Sequence, residues 1–131
     1  MGLVAREGLY FTYLTTQKLV IIVGCTDTSD PYFEKPVLVR TIPGNKCVAG
    51  VTILDGELYV VRSQTADVEV YQVGPAFQPV RQLSVQRLRQ PTDIVASQTA
   101  AVVYVADAVG YIFVVDPSGK VHSRLQVKSY K

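Results

Sequence analysis

The chain has 131 residues and a net charge of +2 at pH 7, with 48% hydrophobic and 18% charged residues. This length allows one domain with a hydrophobic core and excludes two domains of ordinary size. The apolar content excludes a disordered chain, and the small net charge gives no indication of nucleic-acid binding by composition alone.

Every apolar tract in the chain is short. None reaches 18 consecutive apolar residues, so none is long enough for a transmembrane helix. The N-terminus also lacks the basic start and the long apolar segment of a secretory signal. We therefore expect no membrane span and, if the chain is complete, a cytoplasmic protein; the compartment is otherwise unknown.

The N-terminal third has apolar runs at residues 9–14, 19–22 and 36–37. Short runs rich in β-branched and aromatic residues are typical of strands. A long polar loop, residues 26–35, precedes the last run and carries Tyr32 and Phe33. This aromatic pair either contacts a peptide or anchors the loop.

In the middle third, the apolar runs 51–54 and 57–62 flank Asp55-Gly56. Asp-Gly between two such runs is a strong signal for a hairpin with a two-residue turn. Two further runs, residues 68–73 and 80–85, each follow a loop. This order predicts four consecutive antiparallel strands.

The last third repeats that order of elements. Its three apolar runs, residues 94–96, 102–106 and 111–115, are separated by small or turn-forming residues, and a fourth strand follows at residues 121–127. Four antiparallel strands in about 40 residues are the size of one β-propeller blade.

The middle and last thirds align as a repeat. Residues 58–61 match residues 103–106 at an offset of 45. Residues 9–10 match residues 58–59 at an offset of 49, and we interpret the first third as strands two, three and four of a blade whose first strand is absent. The sequence predicts an all-β fold, a partial β-propeller of about three four-stranded antiparallel blades, with the first blade lacking its innermost strand. The blades would span residues 1–44, 45–88 and 89–131.

The strand sequences themselves fit a propeller. Central blades are covered on both faces, so their strands can be continuously apolar, as in LVIIV, VVYVA and YIFVV. No helical periodicity interrupts these runs. We expect almost no helix.

Residues 90–121, QPTDIVASQTAAVVYVADAVGYIFVVDPSGKV, resemble an NHL-type propeller repeat. A proline opens the first strand, a Y-V-A-D segment forms the second, and an aspartate, a turn and a glycine follow the third. The match is looser over residues 47–85, where Arg62 takes the place equivalent to Asp107. The resemblance implies a six-bladed propeller. Most members are binding platforms for proteins or RNA, and some relatives of similar architecture are metal-dependent lactonases, lyases or esterases.

Three blades cannot close a ring of the usual four to eight. The chain is therefore interpreted either as part of a longer propeller or as one half of a homodimer that completes six blades. An open array would expose more apolar surface than soluble monomers usually do. We expect the isolated chain to form dimers or aggregates.

In a propeller, one rim carries two kinds of loop: those that lead from strand four of one blade to strand one of the next, and those between strands two and three of each blade. Loops at one end of a rigid sheet commonly carry binding residues. This rim is the predicted partner-binding site. Its predicted residues are Asn45, Lys46, Arg62, Gln64, Arg87, Arg89 and, nearer the central channel, Asp93.

Arg81, Arg87 and Arg89 lie within nine residues of one another. One interpretation is a basic patch that binds phosphate or an acidic peptide. The other is a set of solvated charges that keep an exposed strand and loop soluble. Asp107 is expected to accept N–H groups of the following turn rather than to bind metal. Asp93 is a single carboxylate, and a metal site needs several converging ligands.

The remaining candidates for chemistry favour structural roles. His122 lies on the last strand, far from the channel where a catalytic triad would be built. Cys25 and Cys47 show no metal-ligand spacing and are expected to be free thiols rather than a disulfide. No catalytic residue, metal site or cofactor is predicted.

The sequence thus favours a non-enzymatic interaction module that binds a protein or peptide through one rim. Its alternative is a fragment of a six-bladed, metal-dependent hydrolase or lyase whose other ligands lie in further blades. An RNA-binding propeller is the third hypothesis.

Overall fold

The computed structural model describes residues 3–6, 9–13, 19–25, 36–74 and 76–127, with side chains at residue 20 and over residues 40–74 and 76–127. Within these ranges every regular element is a β-strand, and no helix occurs. The predicted all-β fold is confirmed. The loop with Tyr32 and Phe33 and the side chain of Cys25 lie outside the described residues.

The twelve strands of the described residues form three antiparallel sheets, each following the order of the chain. Blade 1 contains β1 (Leu3–Arg6), β2 (Leu9–Tyr13), β3 (Leu19–Cys25) and β4 (Pro36–Pro43). Blade 2 contains β5 (Val48–Leu54), β6 (Glu57–Arg62), β7 (Asp67–Gln72) and β8 (Pro79–Ser84). Blade 3 contains β9 (Pro91–Ser97), β10 (Val102–Asp107), β11 (Tyr111–Val115) and β12 (Val121–Gln126).

Blade 1 corrects one prediction, because its first strand is present. Leu3–Arg6 pairs antiparallel with β2, from Leu3 opposite Thr12 to Arg6 opposite Leu9. A strand of four residues at a chain terminus leaves too short an apolar run to be recognised in the sequence. Backbone pairing with β2, rather than its own composition, defines it.

The sheets pack face to face around an axis lined by their first strands. β5 lies against β9 on one side and against β1 on the other. The amide of Ala96 donates to the Thr52 hydroxyl over 3.0 Å, and the side-chain amide of Gln98 donates to the Ile53 carbonyl over 2.8 Å. This contact of first strand with first strand gives the three sheets a radial arrangement.

The turn Asp55-Gly56 has the predicted geometry. Both residues have positive φ, 49° and 73°, as a type I′ turn requires. Such a turn matches the twist of the strands it joins, so the hairpin of β5 and β6 is specified locally.

Blade 2 is covered on both faces, and blade 3 on one. Five of the six residues of β6 are buried, from Leu58 to Arg62, whereas buried and half-buried residues alternate along β10. The buried face of blade 3, with Val103 and Phe113, packs against blade 2. Its other face leaves Tyr104 and Ile112 half exposed.

Candidate functional site

Hydrogen bonds between loops build a rim along blades 2 and 3. The Ser63 amide donates to the Cys47 carbonyl over 2.8 Å and the Ala108 amide to the Gln90 carbonyl over 2.9 Å. Each bond joins a loop between strands two and three to the loop that enters the same blade. Because both loops are tied to rigid strands, the rim keeps a defined shape.

Most predicted rim residues lie at the surface. The exposed ones are Asn45, Lys46, Gln64, Arg87, Arg89 and Asp93. Gln64 and Arg87 have positive φ, 60° and 75°, a region that is strained for residues other than glycine, asparagine and aspartate. The backbone therefore holds these two side chains in directions that an ordinary turn would not give.

Arg62 differs from this expectation, since its side chain is only 3% exposed. Its Nε donates to Glu69 over 2.7 Å and its Nη1 to the Lys46 carbonyl over 2.8 Å. The guanidinium also lies so close to Gly44 that a Cβ there would be 2.2 Å from its Cζ. Arg62 therefore braces the rim from inside instead of presenting its charge to a partner.

Asp107, at the equivalent place in blade 3, has a similar bracing role and the predicted bonds. One carboxylate oxygen accepts the Val109 amide over 2.9 Å, and the other accepts the Arg89 amide over 2.9 Å. The second bond crosses to the loop before β9. Asp107 is buried, so it shapes the arginine-bearing loop without being available to a ligand.

Arg81 does not join Arg87 and Arg89 in a patch. It lies on β8 and donates to both carboxylate oxygens of Glu57, over 2.7 and 2.8 Å. Its Nε donates to the Pro117 carbonyl of blade 3 over 2.7 Å. Arg81 thus connects two blades near the edge opposite the rim.

Burial and hydrogen bonding shift the pKa values of several groups in blade 2. The guanidinium of Arg81 lowers the pKa of Glu57 below its ordinary value of 4.5. Burial raises the pKa of Tyr59 to about 12, and burial with a hydrogen bond to Glu69 raises the pKa of Tyr71 to about 12. Both phenols stay protonated at neutral pH and act as hydrogen-bond donors.

Asp93 does not provide a metal centre with the residues described. Its Oδ1 accepts the amide of the next residue, Ile94, over 2.9 Å. The equivalent position in blade 2 is Gly50, and a Cβ there would lie 3.0 Å from this same oxygen. Among the described residues, no group of three or more His, Cys, Asp and Glu side chains converges, so they do not fit a bound metal.

His122 lies exposed on β12, and its Nε2 is 2.8 Å from Asp116. The hydroxyl of Ser118 donates to the same carboxylate and not to the imidazole. A serine nucleophile needs a direct hydrogen bond to its histidine base. The three residues form a stabilised turn, in which hydrogen bonds from Ser118 and His122 lower the pKa of Asp116.

Two grooves open beside the rim. The larger, about 660 Å³, runs along blade 2 and is lined by Asn45 and Lys46 of the rim and by the Arg62–Glu69 pair. The other lies between blades 2 and 3 and is formed by two adjoining hollows of about 220 and 270 Å³.

We call the second one the arginine groove. It is lined by Gln86, Arg87, Arg89, Val109, Tyr111, Phe113, Val121 and Arg124. Arg124 was not predicted as a site residue. It lies 37 positions after Arg87 in the sequence, and only the pairing of β12 with β11 brings it opposite Phe113.

The described residues form no helix long and apolar enough to cross a bilayer. Cys47 is a half-buried free thiol, as expected from its spacing.

Comparison with known proteins rests on structure. No family model matches the sequence, and no curated protein matches it significantly. A glutaminyl cyclase from Myxococcus xanthus matches 96% of this chain and 52% of its own, with a TM-score of 0.70 and 15% identity. The β-propeller domain of Cps50 (Swd1) from Myceliophteria thermophila matches 82% of this chain and 36% of its own, with a TM-score of 0.69 and 9% identity.

The chain therefore spans about half the length of the first of these structures and about a third of the second. At such low identities the likeness shows the fold alone. Together with the three four-stranded antiparallel sheets, it shows that this chain forms a partial β-propeller.

Proposed function

We propose that this chain is a non-enzymatic propeller module that binds a protein or peptide partner through its loop rim. The NHL-like motif of residues 90–121 supports this assignment by resemblance, since most NHL propellers are binding platforms. The remaining blades, supplied by a longer chain or by a second copy, extend the same rim.

One observation carries the proposal: the rim is rigid in its backbone and exposed in its side chains. Hydrogen bonds between neighbouring loops, such as Ser63 to Cys47, hold its shape. Buried Arg62 and Asp107 brace it from within. A preorganised surface loses little conformational entropy on binding, so polar side chains such as Asn45 and Gln64 can contribute net affinity.

A fragment of a metal-dependent hydrolase or lyase is the second candidate. It is favoured by the exposed carboxylate of Asp93 near the start of β9, one of the first strands that line the axis. Any further ligands would have to come from blades beyond the three described here. Calcium titration followed by calorimetry tests it, and a saturable heat that Asp93→Ala abolishes would favour the enzyme fragment.

A random peptide library displayed on phage and selected against the chain tests the rim directly. We expect enriched peptides to lose binding to the rim variants Asn45→Ala and Gln64→Ala. They should bind normally to Thr99→Ala, an exposed position in the turn between β9 and β10 at the opposite edge. Circular dichroism and urea denaturation confirm that each variant is folded.

Two results would overturn the proposal. One is a selection that enriches no peptide. The other is a set of peptides that bind the rim variants normally but lose binding to Thr99→Ala, because the partner surface would then lie at the other edge.

A further inference from the structure

We infer that the arginine groove binds a peptide segment carrying glutamate or aspartate side chains. This inference rests on the proposed function and specifies the chemistry of the partner. The groove joins Arg87 and Arg89, from the loop before β9, to Arg124 on β12, around a floor that includes Tyr111 and Phe113. All three arginine side chains are exposed.

The charges of the groove are not neutralised from within. In blade 2, Arg62 pairs with Glu69 and Arg81 with Glu57, each over 2.7 Å. No carboxylate in the described part of the chain forms an ion pair with any of the three arginines of the groove. Three guanidiniums gathered around one groove repel each other, and an anionic ligand relieves that repulsion.

The repeat explains why only one of the two outer grooves has this character. Glu69 lies opposite Val60 in blade 2, and Phe113 lies opposite Val105 at the equivalent position in blade 3. The larger groove therefore contains a carboxylate that pairs with Arg62. In the arginine groove an aromatic ring occupies that position. Asp107, which takes the place of Arg62, bonds backbone amides instead, so the arginine side chains of the groove remain exposed.

Three features position the arginines before a ligand arrives, one at a guanidinium and two at the backbone. The guanidinium carbon of Arg124 lies 4.4 Å from the centroid of the Tyr111 ring, a cation–π contact. The Leu88 amide donates to the Val85 carbonyl over 3.1 Å, which closes a turn with Arg87 at φ 75°. The Arg89 amide is fixed by Asp107. Preorganised guanidiniums favour planar carboxylates, which they bind through paired hydrogen bonds.

The same geometry argues against a single-stranded nucleic acid. Such ligands need aromatic faces on which bases stack and a basic path along the backbone. One face of the Tyr111 ring is already covered by Arg124, and the net charge of the chain is only +2. The groove is short, with hollows of about 220 and 270 Å³, which suits a few side chains of a peptide.

Fluorescence anisotropy with three labelled probes tests the inference on the full chain. The probes are a glutamate-rich peptide, the same peptide with glutamine at every glutamate, and a poly-uridine strand. We expect the glutamate peptide to bind in preference to the other two. Arg87→Ala and Arg124→Ala should each weaken it roughly fivefold to tenfold, as expected for the loss of about one charge-assisted interaction.

Lys120→Ala is the matched control, because it removes one exposed positive charge from the turn between β11 and β12, at the edge opposite the rim. It should change the affinity by less than about twofold, because physiological salt screens exposed charges that lie more than about 8 Å apart. Arg124→Lys keeps the charge but removes the planar fork, and it should restore only part of the affinity.

The outcomes separate this inference from the proposed function. Equal binding of the glutamate and glutamine peptides, equal losses in Lys120→Ala and Arg124→Ala, or preferential binding of poly-uridine each overturns the acidic-peptide assignment. If the phage selection still yields rim-dependent peptides, rim binding stands while this inference fails. If neither experiment gives a rim-dependent peptide, both fail.

Discussion

Removing the Arg81 side chain should destabilise the protein by about 2 kcal/mol, because Arg81 joins two strands of blade 2 to blade 3. Its guanidinium makes two hydrogen bonds to Glu57, at 2.7 and 2.8 Å, and one to the Pro117 carbonyl at 2.7 Å. The side chains of Arg81 and Glu57 are 29% and 19% exposed. Hydrogen bonds to charged groups contribute about 1.5–3 kcal/mol to the free energy of unfolding when they are shielded from water. Exposed ion pairs contribute about 0–1 kcal/mol. Because this pair is partly exposed, we expect Arg81→Ala to cost a value between these limits.

The effect should depend on pH with a defined sign. Arg81 lowers the pKa of Glu57 in the folded state below its ordinary value of 4.5. The stabilisation is therefore fully present above the pKa of the unfolded chain and is lost as the pH falls through the lowered pKa of the folded state. The difference between the wild type and Arg81→Ala should shrink in acid.

Urea denaturation of the wild type, Arg81→Ala, Glu57→Gln and the double variant, at neutral pH and at about pH 3, measures both quantities. Arg89→Ala is the control for loss of an exposed arginine, and its free energy of unfolding should change by less than about 0.5 kcal/mol. Additive effects of the two single substitutions at neutral pH would refute the reasoning. So would a destabilisation by Arg81→Ala that is equally large in acid.

Three further predictions concern the rim and the open face of blade 3. Asp107→Ala should cost about 2 kcal/mol because it leaves the Arg89 and Val109 amides without their acceptor; a loss below about 0.5 kcal/mol in urea denaturation would contradict its bracing role. Arg87→Gly should be more stable than Arg87→Ala by about 0.5–1 kcal/mol, since Arg87 has φ 75°, and equal midpoints would argue against strain. Val68→Asp should prevent folding, because Val68 is fully buried against blade 3. Ile112→Asp, at the equivalent but half-exposed position of blade 3, should fold. It should also reduce the self-association that we expect light scattering to detect in the wild type. A monomeric wild type would contradict the expected self-association through exposed apolar faces.

Local sequence was sufficient for most strands. The observed β6, Glu57–Arg62, and β11, Tyr111–Val115, have the predicted bounds, because uninterrupted apolar runs end there at recognisable turns. The Asp55-Gly56 turn was also predicted correctly, because the residue types in a two-residue turn determine whether it can adopt two positive φ angles. β1 was missed because four residues carry too little periodicity, and its pairing with β2 is a long-range property of the sheet.

The candidate site was predicted less completely, and the reason is tertiary. The sequence predicts Arg62 and Arg81 as surface charges. Packing instead gives each of them a carboxylate partner within its own blade. Arg124 was not predicted as a site residue because its neighbours along the chain form no recognisable motif. Its place beside Arg87 exists only after blade 3 has packed against blade 2.

By itself the sequence determined the all-β class, the repeat of four strands and the loops that form the rim, since each follows from local apolar runs and turn chemistry. The tertiary structure decided which charges are buried in ion pairs and which remain for a ligand. That distinction depends on contacts between strands of the same or neighbouring blades, at separations of 7 residues for Arg62 and Glu69 and 24 for Arg81 and Glu57. Residues so far apart meet only through sheet pairing and blade packing, and neither can be inferred from the composition of a single strand.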